Sequence, residues 1–82
     1  MSENEYRLAI VAIIVSNGEA AENVNAALHE YAEYVVGRMG LPLRERAVNA
    51  ITVVLDAPQN AVNALTGKLG RIDGVSAKAL FR

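Results

Sequence analysis

The residues best suited to chemistry lie in "GRMGLPLRER", residues 37–46, where Arg38, Arg44 and Arg46 could gather around an anion. In a hairpin their side chains spread over both faces, so most of this charge reads as surface charge and intersubunit pairing. Arg38 is the exception: glycines at 37 and 40 leave room for backbone or ligand to approach it. His29 and Glu33 are four residues apart and offer two metal ligands, but a site needs more, and the chain has no cysteine and no second histidine. The pair reads as a local charge pair or a solvated histidine. Ser16 has no partner base in the sequence, and one histidine is the whole neutral-pH inventory, so no catalytic residue and no metal ligand is assigned. "TGKLG", residues 66–70, is not a phosphate loop, because Val62 and Leu69 stand where a P-loop needs glycine and a hydroxyl residue. Gly67 and Gly70 then read as close helix approach and a helix stop, with Lys68 and Arg71 at the negative end of the helix dipole.

Composition narrows the classes further. The chain has 82 residues, a net charge of -1 and no cysteine, which excludes a disulfide framework, thiolate zinc sites and iron–sulfur ligation by this chain alone. No cofactor is expected. "MSENEYRL" is acidic where a secretory signal is basic, and the longest apolar run, Leu8 to Val15, falls short of the ~20 residues of a membrane span. The expectation is a cytoplasmic protein without a membrane segment. Residues 1–35 carry -5 and residues 36–82 carry +4. In a fold that interleaves its halves, such asymmetry becomes pairing within or between subunits.

These side chains must be positioned by a small set of elements. "YRLAIVAIIV", Tyr6 to Val15, is aliphatic in both alternating sets and reads as a central strand. "SNGE" follows as a turn, with Asn17-Gly18 suited to positive φ. Val24, Ala27, Leu28, Tyr31 and Val35 form the stripe of an amphipathic helix of three to four turns. "VVGRMG" is a short edge strand, Pro42 stops its pairing, and "LPLRER" connects to a third strand, Val48 to Leu55. Asp56 and Pro58 start a second helix with Val62, Leu65, Leu69 and Ile72 buried and Gly70 as its stop. Asp73-Gly74 turns the chain into a last strand, "VSAKALF", with Ser76 and Lys78 facing solvent.

The order βαββαβ, with right-handed crossovers, leads to an α+β ferredoxin-like sandwich: one domain, residues 1–82, with a four-stranded antiparallel sheet and both helices on one face. The other face of the first and third strands is then aliphatic and wet, which marks an interface. A homo-oligomer, dimer or tetramer, joined through the open face or a sheet edge, is expected. RNA is not an expected partner of that face, since Tyr6 is the only aromatic on the central strands.

"LHEYAEYVVGRMGLPLRER", "ITVVLD" and "ALTGKLGRIDGVSAKA" together resemble the small ACT-like family of iron-only hydrogenase system regulators, from the first strand to Lys78. Its distinctive pieces are Arg38-Met39-Gly40, Pro42 and the segment from Gly67 to Val75. The resemblance implies an oligomeric ACT-type regulatory domain of a transcriptional regulator. The chain has no helix-turn-helix and no basic arm, so direct DNA binding is not expected, nor is the metal site of related nickel-responsive regulators. ACT-type domains bind amino acids or other small effectors at subunit interfaces, near the loop after the first strand. By that similarity Ser16, Asn17, Gly18 and Glu19 map to the loop, where backbone amides opening the helix could hold a carboxylate. The aspartate and arginine usual before the loop glycine are missing. The resulting expectation is a non-enzymatic regulatory domain sensing a small effector, such as an amino acid, through Ser16–Glu19 and Arg38. The alternatives are a small oligomeric ferredoxin-like enzyme, or a protein-interaction scaffold.

Overall fold

The computed structural model describes residues 5–82. Strand β1 spans Tyr6–Val15, helix α1 Ala21–Glu30, β2 Val35–Leu43, β3 Val48–Pro58, α2 Gln59–Gly70 and β4 Val75–Phe81. Short 3₁₀ turns occupy Gly18–Ala20, Ala32–Tyr34 and Arg44–Arg46. The strands form one antiparallel sheet in the order β2-β3-β1-β4, with β1 and β3 central. This is the ferredoxin-like α+β sandwich that the element order requires.

The register explains which aliphatic set is covered. Odd-numbered residues of β1 (Ala9, Val11, Ile13, Val15) join Val53, Leu55 and Ala57 of β3 in one core with Val24, Ala27 and Leu28 of α1 and Val62, Leu65 and Leu69 of α2. Both helices therefore lie on the same side of the sheet. The even-numbered set points the other way and stays half-exposed: Leu8 at 45 %, Ile10 at 39 % and Ile14 at 51 %. Across the helix layer the Lys68 ammonium donates to the Glu30 carboxylate, so one basic residue of the second half is neutralised by an acidic residue of the first. At the other end Arg7 donates to Gln59 Oε1 (2.6 Å) and to the Arg82 carbonyl (2.9 Å), and lies over the Phe81 ring. It fastens the start of β1 to the start of α2 and the end of β4.

Several local expectations are corrected. The first helix ends at Glu30, and Val35 begins β2, because the 3₁₀ turn at Ala32–Tyr34 intervenes. Pro42 does not stop β2, which pairs on through Pro42↔Asn49 and Leu43↔Val48. On an edge strand the missing N–H can face solvent, so proline is tolerated. Likewise β3 runs past Leu55 to Pro58, and Asp56 lies within it instead of opening α2.

The Asn17-Gly18 turn needs no positive φ. Asn17 is extended and its Oδ1 accepts the Glu19 N–H, capping the 3₁₀ turn. Positive φ occurs instead at Gly74 (80°) and at Ala47 (55°), the residue that reverses the chain into β3. Gly67 and Gly70 mediate no close helix approach: a Cβ at Gly70 meets nothing within 4 Å, and one at Gly67 meets only the Arg71 side chain.

Candidate functional site

Strand β2 turns Arg38, Gly40 and Pro42 toward the helix side of the sheet, opposite Val53, Ile51 and Asn49 of β3. None of the three is a large apolar residue, so nothing on this strip recruits a covering helix, and all three remain exposed. A cleft of about 250 Å³ results between β2 and the first turns of α1. Its walls are Val15, Val24, Ile51 and Pro42, and its polar groups are Arg38, Asn25 and Asn49. Arg38 Nη2 donates to Asn25 Oδ1 at 3.0 Å, which holds the guanidinium across the cleft against α1. One bond leaves most of the guanidinium's five donors free for an acceptor entering the cleft. Apolar walls with a few converging polar groups are what small-molecule sites have in common.

The five residues singled out in the sequence fall on two sides of the start of α1. Arg38 lines the cleft, together with Ala21 and Val24. Ser16, Asn17, Gly18 and Glu19 form the loop after β1, as their turn-forming residue types lead one to expect, and Asn17 and Glu19 line a second depression of about 220 Å³ with Asn23 and Asp73. Ser16 N–H donates to the Gly74 carbonyl at 2.7 Å, which ties this loop to the turn before β4. The amides at the helix start are already engaged: Glu19 N–H by Asn17 Oδ1, Ala20 N–H by the Asn17 carbonyl and Ala21 N–H by the Gly18 carbonyl. The side chains around this depression include two carboxylates, Glu19 and Asp73.

Other candidates separate in space. Arg44 and Arg46 sit in the 3₁₀ turn at the hairpin tip, away from the cleft that Arg38 lines. His29 lies on α1 and Glu33 beyond its end, so they share no helical face. Among the described residues no group of three or more His, Cys, Asp or Glu could hold a metal ion. No helix among them is long and apolar enough to cross a membrane. The glycines near Arg38 make no tight contact, since a Cβ at Gly37 meets nothing and one at Gly40 meets only Ile51 Cγ1 at 3.9 Å. The open space beside Gly40 is the cleft itself. Asn25 and Asn49 were missed from sequence because each is an ordinary polar residue of its element. Only the pairing of β2 with β3 and the seating of α1 bring them to Arg38.

Comparison with known proteins agrees with this architecture. A family described as "Iron-only hydrogenase system regulator, putative", TM1266-like, matches residues 7–79. No curated protein sequence matches the chain. Among solved structures it is similar to the uncharacterized protein TM1266 from Thermotoga maritima, with 37% identity, a TM-score of 0.90 and coverage of 94% of this chain and 98% of that one. The ACT domain of GTP pyrophosphokinase from Chlorobium tepidum shares the fold at 12% identity and a TM-score of 0.78, covering 92% and 99% of the two chains. So does the C-terminal domain of MgtC from Mycobacterium tuberculosis, at 14% identity and 0.76, covering 100% and 94%. With a family match over nearly its whole length and a relative above one-third identity, the chain belongs to the TM1266-like family of iron-only hydrogenase system regulators.

Proposed function

We propose that this chain is a non-enzymatic regulatory domain that senses a small effector in the cleft between α1 and β2. The observation that carries the reading is Arg38, a guanidinium held at a cleft with aliphatic walls and bound by one side-chain amide. A cleft of about 250 Å³ is below the ~300–1,000 Å³ of drug-sized pockets, which suits a molecule with a carboxylate for Arg38 and a short apolar body for the accessible Ile51 and Pro42. An aliphatic amino acid has that form. The cleft opens along β2, an edge strand with backbone groups unpaired on its outer side. A neighbouring subunit docked there would roof the ligand, and the Ser16–Glu19 loop would flank it across the start of α1. Membership of a family described as regulators of a hydrogenase system supports a regulatory role, and effector binding in the cleft is the event that such a domain would transmit.

A thermal-shift screen of amino acids, nucleotides and divalent metals tests this directly, because a ligand bound by the native state alone raises stability by mass action. The reading expects stabilisation of the wild type by a carboxylate-bearing compound and its loss in Arg38→Ala. Turnover that disappears in His29→Ala would favour an enzyme instead, and indifference to every compound would leave the cleft without a role.

A further inference from the structure

The sheet face opposite the helices carries a pattern of its own. Its strand residues are Leu8, Ile10, Ala12 and Ile14 of β1, their even-numbered partners on β3 and β4, and Met39, Leu41 and Leu43 of β2. Met39, Leu41 and Leu80 are more than half exposed. Among the strand residues of this face only two are charged, Asp56 on β3 and Lys78 on β4. Asp56 pairs with Leu8 and Lys78 with Ala12, so the two charges flank β1 diagonally and Ile10 is the midpoint between them. Strands about 4.8 Å apart that rise ~3.3 Å per residue put the two charges roughly 16 Å apart, too far to pair within one chain.

We infer that this face docks a second copy of the same chain, with Ile10 on the two-fold axis. An apolar surface carrying one acid and one base on opposite sides of its centre is complementary to itself, as an isologous contact requires. A two-fold rotation about an in-plane axis through Ile10 brings Asp56 of each chain onto Lys78 of the other. The same operation brings Leu8 against Leu80 and Ile10 and Met39 against their own copies. The strands of the two sheets then cross nearer to perpendicular than to parallel, and crossing at near right angles is one of the two arrangements found for packed sheets. The flat footprint of four strands about nine residues long is roughly 600 Å², of which sheets crossed in this way share about 400 Å² before side-chain relief, about half of the ~800 Å² each partner contributes to a standard interface. This contact lies on the side of the sheet away from the α1–β2 cleft, so it stands whether or not the cleft binds an effector.

The chain has no cysteine, which makes a cross-linking test clean. Ile10→Cys should form a disulfide-linked pair of chains under mild oxidation at micromolar concentration, whereas Leu43→Cys, outside the overlap, should not. Light scattering coupled to size exclusion should give the wild type a mass of twice 8.8 kDa or a multiple of that, and Ile10→Glu should halve it. Asp56→Lys and Lys78→Asp should each weaken association about tenfold by setting like charges opposite each other, and the double exchange should restore it. Circular dichroism on each variant separates a lost contact from a lost fold. A wild type of single-chain mass, a folded Ile10→Glu with unchanged mass, or an Ile10→Cys that does not cross-link would each overturn the inference.

Discussion

The two faces of β1 are made of the same kind of residue and live in different surroundings. Val11, Ile13 and Val15 are sealed beneath the helices, at 2 % exposure or less, while Leu8, Ile10 and Ile14 face outward and keep about half their surface accessible. Hydrophobicity alone therefore does not tell what a strand residue is for. The inner set holds the chain folded, whereas the outer set contributes little until something covers it. The same contrast recurs on β2, where the inward strip of Arg38, Gly40 and Pro42 is polar or small and leaves a cleft. In each case the departure from simple inside–outside patterning is where an interaction is expected.

Truncating neighbours on opposite faces of β1 should have very different costs. Ile13→Ala, which opens a cavity in the core, should cost about 3 kcal/mol in denaturant unfolding. Ile14→Ala, measured where the chain is dilute enough to be monomeric, should cost less than about 0.5 kcal/mol, as surface positions do. If the two costs were alike, the outer face would be part of the folding core.

The turns supply two intermediate effects of opposite sign. A Cβ at Gly74 would lie 2.5 Å from Asn17 Cβ and 3.2 Å from Asn17 N, at a φ of 80°. Gly74→Ala should therefore cost about 2 kcal/mol, combining backbone strain with displacement of the Ser16–Asn17 loop. Ala47, held at a φ of 55°, is the reverse case. Ala47→Gly should gain up to about 1 kcal/mol by relieving a left-handed alanine, read as a rise in the denaturation midpoint.

Much of the fold was legible because aliphatic strands and amphipathic helices alternate in an order that only a few topologies accommodate. The aliphatic runs mark strands β1 and β4 at their observed boundaries. The errors cluster where tertiary context overrides local chemistry. Pro42 reads as a breaker until β2 is known to be an edge strand, and Val35 reads as helical because its spacing from Tyr31 continues the stripe. Of the cleft, the sequence offers Arg38 but not Asn25 or Asn49. Long-range pairing assembles the site, and no local spacing encodes it.

Amide-resolved NMR during titration with aliphatic amino acids reports both whether a ligand binds the α1–β2 cleft and where it sits. Binding in the cleft should concentrate shifts at Val15, Val24, Asn25, Gly40 and Ile51, saturating in the wild type and absent in a folded Arg38→Ala. Shifts confined to Glu19, Asn23 and Asp73 around the second depression, or a titration that Arg38→Ala leaves unchanged, would contradict it.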